Sequence, residues 1–150
     1  WYDENALLAS DPIPLLRAAL TGDDSVADLR TALATTPPPF WRTHYHLKKR
    51  ASEHDPSLGT SRRNTLLVNA VLPILLLDAK RREDSAQADA AIDVLHSLSA
   101  AHDKIIRRFR NLGLNARSAF EAQGMHQLYR EYCTEGGCLD CQIGQYLLNS

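Results

Sequence analysis

Apolar residues recur along this chain at helical spacing and almost nowhere with the alternation of a strand. Asp11 precedes Pro12 and Pro14, which suit a first helical turn, and that segment closes at Thr21-Gly22. Val26, Leu29 and Leu33 mark one face of a second helix, opened by Asp23-Asp24-Ser25 and stopped by Pro37-Pro38-Pro39. Ser61 caps a long helix running to about Arg82, apolar nearly all round from Leu66 to Leu77 and therefore expected at the centre of the fold. Pro73 lies inside it, removes the bond to the Asn69 carbonyl and predicts a kink between Asn69 and Pro73. Ser85 opens the next helix, with Ala90, Ala91, Val94, Leu95 and Leu98 inward. Ile105, Ile106, Phe109 and Leu112 then face inward on a helix ended by a left-handed Gly113. A last long helix is expected from about Asn115 to Tyr132. The fold class is all-α: an irregular bundle of about six helices around a kinked central one, with a C-terminal cysteine-containing turn.

At 150 residues the chain is expected to form a single helical domain over 1–150. Phe40-Trp41-Arg42-Thr43-His44-Tyr45-His46 has no readable form. The polar stretch after it, residues 47–60, is expected to be a mobile loop, and residues 133–150 a cysteine-cluster tail. No secretory signal stands at the front, and the longest apolar run is about half of what a bilayer needs. With free cysteines, the expected compartment is the cytoplasm, with no membrane partner. Trp1 opens the chain and the single methionine is Met125, so a piece of a longer protein is expected.

Cys133, Cys138 and Cys141 form a C-x4-C-x2-C run with a Gly-Gly turn inside it. Thiolates gathered by a short glycine turn suit zinc or an iron–sulfur cluster, and the spacing matches the opening of a plant-type ferredoxin pattern without its fourth cysteine. His44, His46 and His126 are weak candidates for a fourth ligand. His126 stands seven residues before Cys133, roughly 10 Å along a helix, so it serves only if the helix breaks between them. The alternatives are reduced thiols packing the C-terminal turn, or a labile disulfide.

Charge is near balance, 17 Lys+Arg against 18 Asp+Glu, but unevenly spread. Residues 1–30 hold six acidic side chains against two basic, whereas residues 41–63 hold six basic against two acidic, and residues 103–117 five basic against one. Lys104, Arg107, Arg108 and Asn111 share one helix face, a stripe suited to phosphates, with Arg62 and Arg63 adding to it if their helices lie side by side. Alternatively the stripe is a solvated face answering the acidic third of the chain. Phe40, Trp41 and Tyr45 are expected in the core, with stacking on bases as the alternative. No phosphate-loop, nucleophile-elbow or metalloprotease motif is present, and no catalytic residue is assigned, so the chain by itself is not expected to be an enzyme.

Taken together, Phe40-Trp41 with His44-Tyr45, Asn69-x-x-x-Pro73, Gln123 ahead of Leu128, and the closing Tyr132-Cys133, Cys138-Leu139-x-Cys141-x-Ile143-Gly144 resemble the C-terminal half of a bacterial family known as domain of unknown function 2851. The resemblance spans roughly residues 36–148. It implies a longer parent whose N-terminal half is similar to restriction-endonuclease-like nuclease domains, with this segment as a helical companion. The acidic catalytic residues then belong to that other half, the basic stripe gains as a surface for DNA or RNA, and the cysteines gain as a site. The second reading is a purely structural or protein-interaction helical module with buried reduced thiols.

Overall fold

The structure, a computed structural model, describes residues 11–149 and is all-α apart from one two-stranded hairpin. Its contacts form two compact units, Trp1–Ala91 and Ile92–Ser150.

In the first unit, α1 (Ile13–Leu20) starts on Pro12 with Pro14 in its first turn and buries Leu16 and Leu20. The Asp24 side chain accepts the N–H of Ala27 at 3.0 Å and so caps α2 (Ser25–Ala32), which buries Leu29. Arg30 Nε donates to Asn64 Oδ1 at 2.8 Å and ties α2 to α3 (Thr60–Leu66). The helix then widens into a π stretch, Leu67–Val71, before continuing as α4 (Leu72–Arg82). Pro73 has no N–H to give and its ring presses on the preceding turn. The expected kink is met by a wider turn, in which the Leu72 N–H reaches back to the Leu67 carbonyl. Asn69 Nδ2 donates to the Thr65 carbonyl at 2.8 Å.

Only one face of this long helix is covered. Leu67, Val71, Leu72, Leu75 and Ala79 are buried, while Leu66, Ile74 and Leu77 stay 36%, 46% and 50% exposed. That corrects the expectation of a helix enclosed on all sides: its apolar residues outnumber the neighbours available to cover them. Gln87, itself buried, donates from Nε2 to the Leu75 carbonyl at 2.8 Å and to Asp78 Oδ2 at 3.1 Å. Arg17 Nε stands 3.5 Å from the same Asp78 oxygen, an ion pair too poorly aligned to be a hydrogen bond. Glu83 takes a left-handed conformation (φ 55°), and Asp84 caps α5 (Ser85–Ser97) by accepting the N–H of Gln87.

Between α2 and α3 the chain forms a 3-10 turn (Pro39–Arg42) and an antiparallel hairpin of β1 (His44–His46) and β2 (Lys49–Arg50). His44 pairs with Arg50 and His46 with Lys49, so Tyr45 is an extra residue on β1, a bulge. The stretch expected as loop, 47–60, thus contains β2. It is also tied back by Ala51 N–H to the Thr43 carbonyl (2.7 Å) and His54 N–H to the Arg42 carbonyl (2.9 Å).

In the second unit, Val94, Leu95 and Leu98 of α5 are buried together with Ile106 and Phe109 of α6 (Lys104–Asn111). Gly113 (φ 84°) ends α6, and the Leu114 N–H closes on the Phe109 carbonyl. Leu112, expected inward, is 59% exposed because it falls where the helix is already unwinding. The last long helix, α7 (Ala119–Leu128), begins later than Asn115. Ser118 Oγ accepts the Glu121 N–H at 3.3 Å while Glu121 Oε2 accepts that of Arg117 at 2.6 Å, a reciprocal cap. The preceding residues are drawn toward α5 by the Ala119 N–H to Leu98 carbonyl bond. A second π stretch, Tyr129–Cys133, extends α7, and α8 (Gln142–Leu148) follows the cysteine turn. Among the described residues no helix is long and apolar enough to cross a membrane.

Candidate nucleic-acid interface

α6 has two chemically distinct sides. Ile106 and Phe109 are in the core, while Lys104, Arg107, Arg108 and Arg110 are exposed. Among the described residues none of these four cations lies within ion-pair distance of a carboxylate. Arg108 is held in place instead: its Nη1 donates to the Tyr129 hydroxyl at 2.5 Å and its guanidinium lies 5.4 Å from the ring centroid. Arg110 reaches His102 Nδ1 at 3.4 Å.

The stripe begins at Asp103, which caps α6 through Oδ1 to the N–H groups of Ile105 (2.8 Å) and Ile106 (3.1 Å). Its other oxygen meets His126 Nε2 at 2.7 Å. Burial works to raise the Asp103 carboxyl, but the two backbone donors and His126 outweigh it and hold it below the usual carboxylate value. His126 and Tyr129 also line a cleft of about 610 Å3, with Ile105, Phe120, Gln127 and Arg130. So His126, a candidate ligand for the cysteines, is engaged with α6. The capping role of Asp103 follows from its position before Lys104, whereas its partner 23 residues on leaves no trace in local pattern.

The cysteine turn is compact. The Gly137 N–H bonds to the Tyr132 carbonyl at 2.8 Å, Gln145 Nε2 to that of Leu139 at 2.5 Å, and a Cβ on Gly144 would run into the Cys138 carbonyl. All three cysteines are free, Cys133 and Cys138 exposed and Cys141 buried. Burial pushes the Cys133 thiol up, and the nearby sulfurs of Cys138 and Cys141 push the same way. Among the described residues no group of three His, Cys, Asp or Glu side chains is placed to hold a metal ion.

The remaining candidates lie in the first unit. Arg62 is exposed and Arg63 half-buried on α3, the Arg63 Nε without a hydrogen-bond partner. His46 is exposed on β1. Phe40, Trp41 and Tyr45 do not fill the core as expected. Phe40 is 41% and Tyr45 70% exposed, and Trp41 is half-buried, because the triple proline and the hairpin carry this segment outward.

A family model described as protein of unknown function (DUF2851) matches residues 7–104. The matched stretch holds the hairpin, the π turn with Asn69, and Pro73 just after it in α4, and stops at the start of α6, so α7 and the cysteine turn lie outside it. The match thus sits nearer the N-terminus than the motif resemblance over 36–148. No curated protein and no solved structure matches the chain.

Proposed function

The chain belongs to the DUF2851 family, and we propose that it acts as a non-catalytic helical domain that holds nucleic acid by its phosphates for a nuclease-like domain of a longer parent protein. The observation that carries this reading is the outward face of α6, four exposed cations with no carboxylate partner among the described residues. Arginine recognises phosphate oxygens through several fixed donors, and a guanidinium already ordered on Tyr129 loses less freedom on binding. Contacts of this kind position a duplex without reading its sequence.

The test is binding of duplex DNA across a salt series. Reversing Arg107 and Arg108 to Glu is expected to weaken binding to all sequences alike and to flatten the salt slope by about one per arginine removed. Absence of binding at every salt concentration, for the chain and for its parent, overturns the reading.

A second reading, a zinc or iron–sulfur site on the C-terminal turn, rests on the close C-x4-C-x2-C spacing of three free cysteines, two of them exposed. Stoichiometric metal in freshly purified protein, lost in Cys138→Ser with Cys141→Ser, is its expected signature. Metal-free protein leaves the turn as packing.

A further inference from the structure

Four rings converge on one cleft in the hairpin. Trp41, His44, Tyr45 and His54 line a space of about 410 Å3, with Asp55 on its wall. In a regular strand His44 and Tyr45 would face opposite ways, and the bulge at Tyr45 is what brings both to the same cleft. Each imidazole is fixed. His44 Nδ1 is 3.0 Å from the Phe40 carbonyl and His54 Nδ1 is 3.1 Å from that of Ser52. A carbonyl only accepts, so the His54 Nδ1 carries the proton and its Nε2 is left for an outside partner, while the His44 Nδ1 also meets the Thr43 hydroxyl at 3.1 Å. Tyr45 stacks on His54 with centroids 4.0 Å apart and remains 70% exposed, which leaves its other face open.

Around these rings Arg42, Lys48, Lys49 and Arg50 are exposed, and among the described residues none is within ion-pair distance of a carboxylate. An open aromatic face beside exposed cations makes the two halves of a single-strand binding surface, one for bases and one for phosphates. We propose that this hairpin binds single-stranded nucleic acid, with a base stacked against Tyr45 in the cleft and the flanking phosphates on the hairpin cations. Asp55, whose oxygens accept from the Ser57 N–H and hydroxyl, keeps acceptor capacity toward a base amino group, which favours cytosine over thymine. The inference deepens the nucleic-acid reading of α6 by naming the strand form, and it stands on different residues.

The experiment places Trp41 as sole tryptophan by Trp1→Phe and follows its emission in the full chain on titration with a short oligodeoxycytidylate, the matching oligothymidylate and a duplex. The expected results are quenching by the single strands and tighter binding of cytidylate. Tyr45→Ala should weaken single-strand binding roughly tenfold and Tyr45→Phe should preserve it, with duplex binding unchanged in both. Tyr45 is exposed, so the alanine variant is expected to fold, which far-ultraviolet circular dichroism checks. Single-strand binding unaffected by Tyr45→Ala overturns the proposal, and so does binding that vanishes with Arg107→Glu and Arg108→Glu while Trp41 stays unquenched. Loss of duplex binding alone in those arginine variants, with the quenching retained, separates the hairpin from α6.

Discussion

α4 with its π turn and α6 start from opposite compositions. The first draws on an apolar run broken only by Asn69 and Pro73, whereas the second carries four cations in eight residues. Each nevertheless covers a single stripe, Leu72, Leu75 and Ala79 in one and Ile106 and Phe109 in the other. The contrast lies outside: α4 shows solvent Ile74 and Leu77, and α6 shows Lys104, Arg107, Arg108 and Arg110. Depth in a small unit is set by how many neighbours a helix has, and the count of its apolar residues does not change that number. An apolar surplus becomes exposed surface, and a charged surplus becomes a field.

The comparison is broken most sharply at the buried stripes. Phe109→Ala is expected to cost about 3–5 kcal/mol, read as a fall in the urea midpoint. Leu75→Ala should cost about 2–5 kcal/mol, against about 1 kcal/mol for Ile74→Ala one position away. Equal losses at the two positions would mean that the outer face of α4 is covered. Asp103→Ala removes the α6 cap and the partner of His126, for about 0.5–2 kcal/mol. Its folded-state carboxyl lies below the ordinary value of 3.8, so its contribution is present above that pH and is lost as pH falls through the folded value. The stability gap between the chain and Asp103→Ala should therefore shrink below about pH 4, and a gap that stays constant into acid refutes the assignment. Arg107→Ala is the smallest effect, within about 0.5 kcal/mol in stability. If it destabilises as much as Asp103→Ala, the outward face of α6 is structural.

Both stripes of α6 were legible in the sequence, because the spacing of Ile106 and Phe109, that of Lys104, Arg107 and Arg108, and the stop at Gly113 all act within a turn or two of their own position. The family resemblance was legible from Phe40-Trp41 and Asn69-x-x-x-Pro73, which fall within the matched residues. What escaped depends on distance in sequence. Whether Leu66 and Leu77 are covered is decided by which helices lie opposite, and the late start of α7 by the Ala119 bond to Leu98. The aromatic segment departs from its expected place in the core for a related reason. Ring size alone favours burial, but the triple proline and a one-residue bulge set where the rings point. Cys133, Cys138 and Cys141 were readable as a local group because they share one turn, whereas the Asp103 partner of His126 was not.

A helix apolar on every side is free to spin about its own axis and still cover leucines. Turned by one position, α4 would offer Val71, Ile74 and Asp78 where Leu72, Leu75 and Ala79 now sit. The first two are acceptable exchanges and the third is a buried carboxylate torn from Arg17 and Gln87. Asp78 thus acts as a rotational stop, one charge that fixes an azimuth on which the greasy pattern around it is silent.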